Sequence, residues 1–176
     1  WRVPLLRETV RLSQGSGVKV SLIPLFHASD KTYRAIDYYR PDYLHFCDSL
    51  TDNAGNPADV EKFIKFQSTL KERFPEVGII RSIPIPKEGA APHFLSLDIA
   101  RMLHDSSDIF LIDTWVSKAP EEGYLGITGE TADREMARAL VQESRLPVIL
   151  AGGLSPENVY DAVMATFRLR RAVGDL

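Results

Sequence analysis

The chain has 176 residues, 44% hydrophobic and 26% charged, with a formal net charge of -3. That is the composition of a globular domain with a real core: no basic stripe speaks for nucleic acid, and no run approaches the roughly 18 to 20 apolar residues of a membrane span. One cysteine, Cys47, excludes an internal disulfide, and with no signal-peptide pattern in view a reducing, cytoplasmic setting is expected.

In chain order, the first fifteen residues read as a helix with no strand before it, and the opening residue is Trp1 rather than methionine, so further residues are expected ahead of it. Residues 18–26 (VKVSLIPLF) form a β-rich apolar run. A helix follows, with Ser29 or Asp30 as its cap and Tyr33 and Ile36 at helical spacing. Residues 42–47 (DYLHFC) are the second strand. The next helix is expected to take Asn56 as cap and Pro57 as its first residue, with Val60, Phe63, Ile64 and Leu70 along one face. Residues 78–85 (GIIRSIPI) are the third strand and residues 94–104 its helix. Residues 108–114 (DIFLIDT) are the fourth strand. Beyond a loop, ADREMARALVQES puts Met136, Ala137, Leu140 and Val141 on one stripe, with Thr131 as the cap candidate. Residues 147–153 (PVILAGG) are the fifth strand, and SPENVYDAVMATF its helix. The basic run FRLRRA at 167–172 reads as a solvated helix face.

Strict alternation of strand and helix means right-handed βαβ units and a parallel sheet. Two architectures compete, an open doubly wound sheet and a (β/α)₈ barrel. The absence of G-x-G-x-x-G weakens the first. Polar residues gather at strand C-termini, where parallel barrels hold their active sites: His45 and Cys47, Asp113, and the Gly152–Gly153 pair. Five strands cannot close a barrel, so either strands are supplied from outside this sequence or the sheet is open.

The site residues follow from position. Ile109, Leu111 and Asp113 share one face of their strand, with the carboxylate at its end. Gly152 and Gly153 bare the backbone just before a helix start, capped by Ser155 with Pro156 following, an arrangement suited to an anion. GITGETAD (126–133) reads as a loop over the site, with Gly129 and Thr131 as donors to a ligand and Glu130 set to repel a phosphate. Tyr43, His45 and Cys47 share a face. His45 is a ligand contact or a satisfied core histidine, and Cys47 a base or an inert buried thiol. With no further ligands near the pair, no metal is expected.

The segments IFLIDT, GITGETAD and PVILAGGLSPENV resemble, in order and spacing, those of the phosphoribosylanthranilate isomerase family of tryptophan biosynthesis. That family carries a strand ending L-L-D, a loop G-G-T-G-K-T-F-D-W, and L-A-G-G-L-N-P-E-N-V. Upstream, YLHFCD stands where the family has V-Q-L-H-G, and IIRSI where it has a strand with a central lysine or arginine, here Arg81. The resemblance runs over most of residues 18–165.

It implies a (β/α)₈ barrel, one domain over 1–176, in which these are strands three to seven and the N-terminal strands and the last strand are missing. It also implies a cofactor-free Amadori rearrangement of a phosphoribosylated aromatic amine. Asp113 would be the general acid, and Gly129, Thr131, Gly152, Gly153, His45 and Arg81 the contacts to substrate and phosphate. The family's K-I-C-G segment, whose cysteine is the base, has no counterpart, so Cys47 is the replacement to test. Glu130 stands where the family has lysine. A barrel reassigned to another phosphorylated ligand or a protein partner is the alternative. The expected partner is a phosphorylated small molecule, with neither nucleic acid nor membrane, bound by a monomer or homodimer.

Overall fold

The computed structural model describes residues 3–25, 29–89 and 94–166. Helix α1 (Val3–Ser13) precedes strand β1 (Ser21–Leu22), and α2 (Ser29–Tyr39) leads to β2 (Tyr43–Phe46). Then come α3 (Val60–Arg73), β3 (Gly78–Pro86), α4 (Ser96–Leu103) with a 3₁₀ turn at His104–Ser106, and β4 (Ile109–Trp115). The last elements are α5 (Arg134–Glu143), β5 (Val148–Ile149) and α6 (Val159–Thr166). The basic run at 167–172 lies outside the described residues.

The five strands are parallel and lie in the order β1-β2-β3-β4-β5. Right-handed crossovers that always advance in one direction lay every helix on the same face of the sheet. A doubly wound sheet instead reverses at a switch point, and no reversal occurs here. This is the winding of a (β/α)₈ barrel, of which the described residues form five units. The doubly wound alternative falls.

Burial identifies the two faces. On β4, Phe110, Ile112 and Thr114 are buried, whereas Ile109, Leu111 and Asp113 are half-buried. Register carries this alternation across the sheet: Ile80 pairs with Ile109, Ser82 with Leu111, Pro84 with Asp113, and His45 with Ile80. His45, Ser82 and Asp113 therefore share the face away from the helices, the interior of a barrel. Phe46, Arg81 and Phe110 line up on the helix side.

The core fills the helix side. Ile83, Ile85 and Ile112 pack with Ile99, Leu103 and Leu140 of α4 and α5, and a second cluster joins Leu44, Phe46 and Ile79 to Ile36 and Leu70. Each such side chain contributes about 1.5–3 kcal/mol of transfer free energy.

Local chemistry shifts several expected boundaries. Asn56 does not cap α3. The Asp52 carboxylate accepts the backbone N–H groups of Ala54 and Asn56 and the Asn56 side-chain amide, tying Asn56 into a turn. Pro57 bridges Thr51, and α3 starts at Val60 behind Asp59. A side chain that finds a local partner is lost to the helix. Likewise Asp133, not Thr131, caps α5, accepting the Met136 N–H at 2.9 Å. Ser155 leads into α6 through one turn, its carbonyl accepting the Val159 N–H at 2.9 Å. Residues 155–158 form a turn in which Asn158 Oδ1 accepts the Ser155 N–H at 2.8 Å and Asn158 Nδ2 donates to the Gly153 carbonyl at 2.9 Å. The expected first and last strands shrink to two residues each, β1 and β5, at the edges of the sheet.

Candidate functional site

The strands end together at one rim. Asp113 stands there on the interior face of β4. Its Oδ2 accepts from Ser82 Oγ at 3.3 Å and its Oδ1 from the Thr114 N–H at 3.2 Å. Burial pushes its carboxyl pKa up, and these two donors pull the other way. The balance leaves a carboxyl that holds its proton to higher pH than an exposed aspartate, which a general acid requires.

The loop after β4 crosses the end of β3 and fastens to the end of β2. Leu125 N–H donates to the Cys47 carbonyl at 2.7 Å, Ser49 N–H to the Gly123 carbonyl at 2.8 Å, and Asp48 bridges Tyr124. The strap thus passes over the Asp113 carboxyl and brings Gly126 down on it. The φ of Gly126 is +89°, and a Cβ there would stand 2.6 Å from Asp113 Oδ2. Only glycine fits so close to the carboxyl.

Gly152 and Gly153 sit one strand over, both with positive φ. A Cβ on Gly152 would overlap Thr114 Oγ1, beside Asp113, and one on Gly153 would lie 2.8 Å from the Glu130 carbonyl carbon. The glycine pair lets three segments close up: the β4 end, the loop at Glu130 and the turn before α6. Among the described residues neither glycine's N–H has a hydrogen-bond acceptor. Thr114 Oγ1 donates to the Glu130 carbonyl at 2.9 Å, and Thr131 O accepts the Glu88 N–H at 3.1 Å. Gly129, with φ +68°, has open space around it.

Glu130 does not stand as a bare negative charge at this rim. Lys87, just past β3, reaches it at 3.1 Å, with both side chains about half exposed at 47% and 46%. A lysine from the neighbouring loop thus stands beside the carboxylate.

The remaining sequence candidates divide. His45 lies on the interior face and its Nε2 is 2.9 Å from Ser82 Oγ. Burial, and secondarily the Arg81 charge, push its pKa down, so it is neutral at physiological pH. Cys47 is half-buried, and burial together with the Asp48 and Asp113 carboxylates pushes its thiol pKa up. It stays protonated, the opposite of what an activated base needs. Arg81 is not brought to the site. It is fully buried on the helix side of β3, donating to Asp48 Oδ2 at 3.0 Å and to the Asp48 carbonyl at 2.8 Å, with its guanidinium over the Phe63 ring.

Three participants escaped sequence reasoning: Ser82, Gly126 and Lys87. Ser82 sits in a strand buried along nearly its whole length, so no alternation marks its face. The register with β4 alone reveals it. Among the described residues no group of three His, Cys, Asp or Glu side chains converges as a metal site requires, and no helix is long and apolar enough to cross a membrane.

A family model described as N-(5'phosphoribosyl)anthranilate (PRA) isomerase matches residues 61–174. An N-(5'-phosphoribosyl)anthranilate isomerase of Methanocella arvoryzae is 34% identical over 113 residues, which cover 64% of this chain and 45% of that protein. One from Methanosarcina acetivorans is 32% identical over 91 residues, covering 50% and 38%. The chain thus spans less than half the length of these curated relatives. The solved N-(5'-phosphoribosyl)anthranilate isomerase of Pyrococcus furiosus superposes with a TM-score of 0.61 at 19% identity, over 94% of this chain and 66% of that one.

Proposed function

Since the chain belongs to the N-(5'-phosphoribosyl)anthranilate isomerase family, we propose that it acts on a phosphoribosylated aromatic amine, opening the ribose ring and converting the aldose-type sugar to a 1-amino-1-deoxyribulose. The observation that carries this is Asp113: a carboxyl at the rim of an interior barrel face, its pKa raised by burial, with the Gly126 backbone packed directly on it.

The phosphate is held by the Gly152 and Gly153 N–H groups at the turn before α6, where the partial positive end of the helix adds attraction. The sugar then extends along the rim toward the end of β4, where Asp113 stands on the interior face. Asp113 protonates the ring oxygen, and the C1–O bond breaks to give a Schiff base with the aromatic nitrogen. A base next removes the C2 proton, and the enolamine tautomerises to the ketone. Every proton lost is returned and no electrons leave, so the sequence needs no cofactor. Cys47 serves poorly as that base, since its thiolate would form beside two carboxylates.

The reaction class is tested by incubating the chain with phosphoribosylanthranilate and following loss of the anthranilate-type fluorescence. Turnover supports the assignment. A chain that binds phosphorylated sugars without converting them refutes the isomerase reading.

A further inference from the structure

Resting on the reading of Asp113 as the acid, we propose that His45, Ser82 and Asp113 form one hydrogen-bonded chain across β2, β3 and β4 that holds the carboxylate once its proton is spent. Ser82 and His45 are then positioning residues for the acid. His45 Nε2 lies 2.9 Å from Ser82 Oγ, and Ser82 Oγ lies 3.3 Å from Asp113 Oδ2. A serine hydroxyl has one proton and two lone pairs, so with His45 in its Nε2–H tautomer it accepts from His45 and donates to Asp113 at the same time.

Several features support this over simple packing. Ser82 is fully buried, and its interior-face neighbours along β3 are Ile80 and Pro84. An alanine would fill that place equally well if packing were all that mattered. The hydroxyl instead meets two side chains from two other strands, one of them the reactive carboxyl. His45 carries no charge at neutral pH, so its Nε2–H polarises the serine without placing a second buried charge beside the acid.

Around the carboxyl, β2 presents His45, the position just past β2 holds Cys47, β3 presents Ser82, β4 gives the Thr114 N–H, and the strap gives the Gly126 backbone. Arg81 and Asp48, paired on the far side of β3, act on His45 and Cys47. A donated hydrogen bond favours the ionised form of Asp113, whereas burial disfavours it. Losing the Ser82 hydroxyl leaves burial opposed by Thr114 alone, so the pKa of Asp113 rises further.

The test is a ¹³C-carboxyl NMR titration of Asp113, its signal assigned with Asp113→Asn, in the chain and four variants. Ser82→Ala is expected to raise the Asp113 pKa by about one pH unit, and His45→Leu to raise it by less. Ser82→Thr and His45→Gln, which keep a donor in place, should stay within a few tenths of the unsubstituted chain. The proposal is overturned if Ser82→Ala titrates like the parent, or if Ser82→Thr shifts as far as Ser82→Ala, since packing would then be the cause. Turnover measured in parallel separates the two readings. Shifted pKa values in a chain that never converts the substrate refute the isomerase assignment and leave the hydrogen-bonded chain standing. Unmoved values in an active chain do the reverse.

Discussion

Gly126 lies directly on the Asp113 carboxyl: a Cβ at Gly126 would sit 2.6 Å from Oδ2, and the backbone there holds a φ of +89°. An alanine at this position meets both a strained backbone and an occupied volume, so either the strap lifts or the carboxyl turns. We predict that Gly126→Ala lowers kcat at least tenfold with a smaller change in KM, and lowers stability by about 1–3 kcal/mol. Steady-state kinetics and thermal denaturation of the variant check both.

The raised pKa of Asp113 has a consequence for stability. A carboxyl whose folded pKa lies above its unfolded value stabilises the fold while both states are protonated, and that contribution is lost as pH rises through the folded pKa. Asp113→Asn removes the ionisation. The variant should match the parent below about pH 4, the ordinary aspartate value, and should melt increasingly higher than the parent as pH rises to neutrality. Melting curves at a series of pH values test this, and a constant difference would contradict it.

Lys87 and Glu130 form a half-exposed pair. Such pairs contribute about 0–1 kcal/mol, so Glu130→Gln should change stability very little. It also frees the Lys87 ammonium at a rim where a phosphate is expected. We predict that Glu130→Gln tightens binding of inorganic phosphate about threefold to tenfold at low salt, with the gain fading as ionic strength rises. Isothermal titration at two salt concentrations measures both effects.

Arg81 belongs to the core, so its substitution should separate stability from binding. Removing one partner of a buried pair leaves a stranded charge. Asp48→Asn is therefore expected to cost about 3–5 kcal/mol, and Arg81→Met less. Phosphate affinity should be unchanged in Arg81→Met at temperatures where it remains folded. A large loss of affinity would return Arg81 to the site.

Sequence patterning carried the β/α alternation and the interior placement of Asp113, because β4 has one half-open face and its period of two is visible in Ile109, Leu111 and Asp113. It failed on β3, buried on both faces, where Arg81 reads as a site residue and nothing marks Ser82. Which face a residue takes in such a strand is fixed by register with its neighbours, and register is not written in one strand's own pattern. Cap positions failed for a related reason. Asn56 is a good cap in isolation, but the Asp52 carboxylate takes both its side-chain amide and its backbone N–H. The Lys87–Glu130 contact joins residues 43 positions apart and had no local signal.

The central claim is that Asp113 gives the proton that opens the sugar ring. Its most direct test is conversion of phosphoribosylanthranilate by the chain and by Asp113→Asn, with binding of a product analogue measured on both. Asparagine keeps the shape and loses the dissociable proton, so the account predicts a fall in kcat of about 10²- to 10⁴-fold with analogue affinity nearly unchanged. An Asp113→Asn protein that turns over at the parent rate would contradict it.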